Sequence, residues 1–152
     1  MPNWCSNEVT IEGDADQLKE FGCVAGLLKE DGTEKDDPEF NFSDIYPCDQ
    51  TNVIQAEAEF QESNPGPNQI SNELFNWNRS HWGTKWDVGE EVFVEEVSKK
   101  RIRVSFDTAW SPPEGVLQHI VGRWPKLTVH VRYEEPGNDL FGQETYYGDE
   151  AA

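Results

Sequence analysis

A chain of 152 residues suits one domain, or one core with a sizeable insertion. Its 30 acidic and 12 basic side chains give a net charge of −18, which repels nucleic acid and anionic membranes, since phosphate binding needs Lys and Arg to neutralise charge. No apolar run approaches the roughly 18 residues of a membrane helix.

The start, Met1-Pro2-Asn3-Trp4, shows no secretory pattern. Cys5, Cys23 and Cys48 form no CxxC pair, which fits reduced thiols in a cytoplasm. Six Trp within 12% aromatics supply material for a real core. Residues 1–80 hold 17 of the acids and 4 of the bases, so the charge is concentrated early. Such acidity either keeps a small protein soluble or imitates the phosphate array of a duplex.

In chain order, residues 3–12 alternate, with Cys5, Asn7, Val9 and Ile11 on one face: a half-buried strand. Asp14, with Gln17 three residues on, starts a helix whose stripe is Leu18, Phe21, Ala25 and Leu28. Lys29–Pro38 reads as a charged loop and Phe40–Ile45 as a short strand. Thr51–Ser63 has helical spacing with Ile54, Ala58 and Phe60 as the inward candidates and many acids outward, and Asn64-Pro65-Gly66-Pro67-Asn68 stops it. Ile70–His81 is a short aromatic helix, with Leu74, Phe75 and Trp77 able to face a core.

Val92–Val97 and Arg101–Phe106 read as a hairpin turned by Ser98-Lys99-Lys100. Arg101 and Arg103 share a face and complement Glu95 and Glu96. Val104–Pro113 begins as a strand and ends as a helix start, with Ser111 as the cap, Pro112 at the first position and Glu114 three residues after the cap. The helix presents Val116, Leu117, Ile120, Val121 and Trp124. Leu127–Tyr133 alternates as a last main strand, and Leu140–Tyr147 adds a short edge strand.

This order predicts an α+β fold of the ferredoxin-like split-βαβ type: an antiparallel four-stranded sheet with both helices on one face. It forms a single domain over 1–152, with a partly helical insertion at about 31–91. The other sheet face carries Glu8, Thr10, Arg103, Ser105, His130 and Arg132, either solvated or covered by the insertion. "Ferredoxin-like" describes topology; no cysteine set for an iron–sulfur cluster exists.

Several longer motifs run together here: M-P-N-W-C-S-N at the start, W-G-T-K-W-D at 82–87, F-D-T-A-W-S-P-P at 106–113 and Y-E-E-P-G at 133–137. They resemble the YubB ferredoxin-like domain family, small proteins of bacteriophages, plasmids and integrated elements. The resemblance implies a mobile-element accessory protein with a ferredoxin-like core, and it carries no catalytic role.

Two tryptophan clusters form the candidate site. Trp82, Thr84, Lys85, Trp86 and Asp87 lie on a loop; Asp107, Thr108 and Trp110 lie at a strand end, with Glu134 and Glu135 ending the neighbouring strand. Converged, they would surround Lys85 with carboxylates and rings, a pocket for a base or sugar. The plainer reading has Lys85 paired with Asp107 or Glu134 and the tryptophans in a minor core. His81, His119 and His130 make no metal set, no nucleophile motif occurs, and no cofactor is called for. The function expected is non-enzymatic docking on a host or element protein in the bacterial cytoplasm, with no direct contact to nucleic acid or membrane. The alternative is a small-ligand or nucleotide site, or an enzyme, around Lys85 and Asp107.

Overall fold

The computed structural model describes residues 3–66 and 69–151. Met1 and Pro2 of the opening motif, Pro67 and Asn68 of the helix stop, and Ala152 lie outside the described residues. The strand β1 (Trp4–Gly13) follows its alternation: Cys5, Asn7, Val9 and Ile11 are buried, while Trp4 and Ser6 are exposed. Asp14 caps α1 (Ala15–Ala25) by accepting from the Gln17 amide at 3.0 Å. Gly26, at φ 101°, ends that helix in the left-handed region, where a side chain would be strained.

The remaining strands are β2 (Phe93–Val97), β3 (Arg101–Ala109), β4 (Leu127–Glu135) and β5 (Leu140–Tyr147). They form one antiparallel sheet in the order β2-β3-β1-β4-β5. This is the ferredoxin-like α+β arrangement, with β1 and β3 inside the sheet. The four main strands expected are joined at one edge by β5. The fifth is no short addition, for β5 pairs along β4 from Thr128↔Tyr147 to Glu135↔Leu140.

One sheet face is covered by α1 and by α5 (Glu114–Arg123), which buries Val116, Leu117 and Ile120. The segment between α1 and β2 packs on that same side through its aromatic residues. Phe40 stacks on Phe106 at 5.1 Å, and Phe21 sets its edge against both Phe40 and Trp124. Each such ring removed from water contributes about 2–3 kcal/mol, which anchors an otherwise polar segment. The opposite sheet face, with Glu8, Ser105 and Arg132, is left open to solvent.

Three local expectations change. Phe40–Ile45 is no strand: Phe40 makes a single bridge with Gly89, and α2 (Phe42–Ile45) follows as a helical turn. In α3 (Thr51–Ser63) the buried residue is Val53, while Ile54 is 53% exposed and Ala58 also faces solvent. The helix packs against α4 (Asn72–His81), and the Glu57 carboxylate accepts from the Ser71 amide. Finally, Ser111 does not cap α5. The helix begins at Glu114 after two prolines, because a residue before proline is driven out of the helical region.

Candidate functional site

The turn after α4 and the end of β3 do meet. Gly83, at φ 88°, reverses the chain beside the start of α5. The Thr84 hydroxyl donates to the Ala109 carbonyl at 3.2 Å, and the Ser111 hydroxyl donates to the Gly83 carbonyl at 2.9 Å. From within the sheet, the Asn7 amide donates to Thr108 Oγ1 at 2.9 Å, and Thr108 passes a hydrogen bond to the Ser111 carbonyl at 2.6 Å. Thr84, Thr108 and Asn7 are all buried, so each bond spares an unsatisfied polar group. The two hydroxyls therefore hold the junction and are not free for chemistry.

Asp87 also works structurally. Its carboxylate accepts from the amides of Phe42 (2.6 Å), Ser43 (3.0 Å) and Val88 (2.8 Å), which makes it the cap of α2. Trp82 is a core residue: its indole N–H donates to the Tyr46 carbonyl at 2.9 Å, and its ring meets Phe42 and Trp77 edge-on.

Lys85 pairs with neither Asp107 nor Glu134. Its Nζ sits 4.3 Å from the Trp86 ring centre and 5.5 Å from that of Phe75. The Arg79 guanidinium lies 5.5 Å from the same Phe75 ring. Trp86 in turn lies 5.9 Å from Trp4. A cleft of about 440 Å³ opens here, walled by Phe75, Arg79, Lys85 and Trp110 and floored by Thr84 and Ser111. Trp110 is 59% exposed and holds φ at 75°, a conformation disfavoured for a bulky side chain.

The carboxylates expected around Lys85 go elsewhere, and strand alternation is the reason. Asp107 and Glu134 both flank Ser6 on the open sheet face, where they line a shallow trough of about 940 Å³ with Glu8, Arg132 and Phe141. Glu135, one residue on, turns to the buried side. There burial, reinforced by the Glu135 charge, pushes the Cys5 thiol up to about 11. Thus the loop and strand end converge as expected, but Asp87, Asp107, Glu134 and Glu135 are not part of the cleft.

Phe75 and Arg79, which the sequence reading left out of the site, stand four residues apart on one face of α4. That spacing, and a lone base in an acidic stretch, were the available signals. Among the described residues no group of three or more His, Cys, Asp and Glu side chains is arranged to hold a metal ion, and no helix is long and apolar enough to cross a membrane.

The β2–β3–α5–β4–β5 run is the part that a known family model matches. Residues 81–152 match the family model described as the ferredoxin-like domain in Api92-like protein. The crystal structure of Api92 from Yersinia pseudotuberculosis superposes with a TM-score of 0.62 at 11% identity, covering 100% of this chain and 96% of that one. At that identity the likeness concerns the fold. No curated protein matches significantly. The ferredoxin-like part of the resemblance read from the motifs stands, under an Api92-like description; neither comparison names YubB. The family match omits β1 and α1, whereas the structural likeness to Api92 runs through them.

Proposed function

We propose that this chain is a non-enzymatic accessory protein of a mobile element, acting in the bacterial cytoplasm by docking on a basic surface of a host or element protein. One observation carries the reading. Residues 31–91, taken as an insertion in a single domain, hold 14 acids against 3 bases, and they fold with aromatic side chains inward and carboxylates outward. Asp36, Asp37, Asp44, Asp49, Glu59 and Glu62 all face solvent. A partner that handles nucleic acid suits this surface, because its basic groove is complementary to a field of carboxylates. The origin in a phage or plasmid rests on the motif resemblance.

The test is capture from a bacterial extract on the immobilised chain at low and high salt. The expected complex forms at low salt and is released as the screening length falls from about 10 Å to about 3 Å. Reversing charge at Glu59 and Glu62 should abolish it. Retention of no protein, or a complex indifferent to salt, overturns the reading.

A further inference from the structure

Two cations meet on one ring in a strongly acidic protein. Arg79 and Lys85 each lie 5.5 Å from the Phe75 centroid, and among the described residues neither has a carboxylate partner. Among the described residues the ion pairs fall on Arg101 and Arg103, and on His130 when it is protonated. With 30 acids available, leaving these two bases unpaired keeps a positive spot in a negative field. Both cations line the same cleft, so their fields add there and favour an anion.

The walls add a second requirement. Trp110, largely exposed, lines the same cleft from a backbone at φ 75°, and its N–H donates a hydrogen bond to the Asn3 carbonyl at 2.8 Å. Strain of this kind persists where the surroundings fix a side chain in place, and it clusters at ligand sites. A phosphate between Arg79 and Lys85 leaves a planar ring free to stack on Trp110.

We infer that the cleft of Phe75, Arg79, Lys85 and Trp110 binds a mononucleotide, phosphate on the two cations and base on the indole. The volume of about 440 Å³ lies within the range of small-ligand pockets. The net charge of −18 disfavours a polyanion. This inference stands apart from the docking reading, since it concerns a basic cleft rather than the carboxylates of that segment, and a different class of ligand.

The experiment titrates the full chain with the four common nucleoside monophosphates, with adenosine, with inorganic phosphate and with a single-stranded oligonucleotide, by calorimetry and tryptophan fluorescence. At least one monophosphate should bind saturably and about tenfold or more tighter than phosphate or adenosine alone. Arg79→Ala and Lys85→Ala should each weaken it by about tenfold. Trp110→Gly, which suits the positive φ, should weaken the nucleotide and leave phosphate unchanged. Far-ultraviolet dichroism establishes that each variant is folded. The inference is overturned if no monophosphate binds, if phosphate alone binds equally well, if the oligonucleotide binds tighter, or if the folded variants bind as the parent does.

Discussion

The Asp87 carboxylate reaches 45 residues back along the chain to take the Phe42 amide at 2.6 Å. It thereby ties the loop that builds the cleft to the turn that carries Phe42 into the core, where that ring meets Phe40, Trp82 and Phe106. Removing it leaves the first amides of α2 without their acceptor. Asp87→Ala should cost about 1–2 kcal/mol in urea denaturation, with Asp87→Asn recovering part of the loss. An unchanged midpoint would show that the cap is dispensable.

The glycines of α5 separate close packing from mere permissiveness. A Cβ on Gly115 would overlap the His81 carbonyl oxygen, and the Gly115 amide donates to the Trp82 carbonyl at 3.0 Å. Gly115→Ala should therefore destabilise by about 2–3 kcal/mol. At Gly122 nothing lies within 4 Å, so Gly122→Ala should stabilise by about 0.5 kcal/mol through helix propensity. Equal effects in thermal melts would refute the packing assigned to the α4–α5 junction.

His119 makes stability depend on pH. Its ring stacks on Tyr46 at 3.9 Å, and burial, with the Arg123 charge added, lowers its pKa below the ordinary 6.5. The unfolded chain thus binds this proton more readily than the folded one. Its contribution is complete above pH 6.5 and is lost as pH falls from there toward the lowered folded value. Denaturation midpoints measured across that window should fall for the parent and flatten for His119→Phe; parallel curves would dismiss the role of this histidine.

The three thiols should react unequally. Cys5 is fully buried and its pKa is raised to about 11, while Cys23 and Cys48 are partly exposed. At neutral pH a thiol-specific reagent should label Cys23 and Cys48 first, and Cys5 only after denaturation. Mass spectrometry of the labelled peptides decides it, and early labelling of Cys5 would contradict its placement under the sheet.

Much of the fold was legible because strands and helices announce their periods. The alternation in β1, β3 and β4 and the Asp14 cap read directly from the residues. The errors share a cause, which is long-range contact. Phe40–Ile45 alternates like a strand, yet Asp87 supplies the cap that turns it helical. Thr51–Ser63 offers two apolar rows, and only tertiary packing selects Val53 over Ile54. Ser111 is a local exception, since the two prolines after it move the helix start to Glu114.

The candidate site was half legible for the same reason. That the loop and the strand end would meet followed from topology. Which carboxylates would join them depended on the parity of single positions: Asp107 faces away from Thr108, and Glu134 away from Glu135. Arg79 and Phe75 entered only when α4 was seen to place them beside Lys85.

The central place of β1 bears on how the chain comes to be folded. Its neighbours on both sides, residues 101–109 and 127–134, are synthesised some ninety or more residues later. Emerging from the ribosome, Trp4–Gly13 has no strand to pair with until most of the polypeptide exists, so assembly is slow and late. A fragment beginning at residue 81 would, conversely, leave β3 and β4 with facing edges and a vacant slot between them, an invitation to aggregation or to borrowing a strand from another molecule.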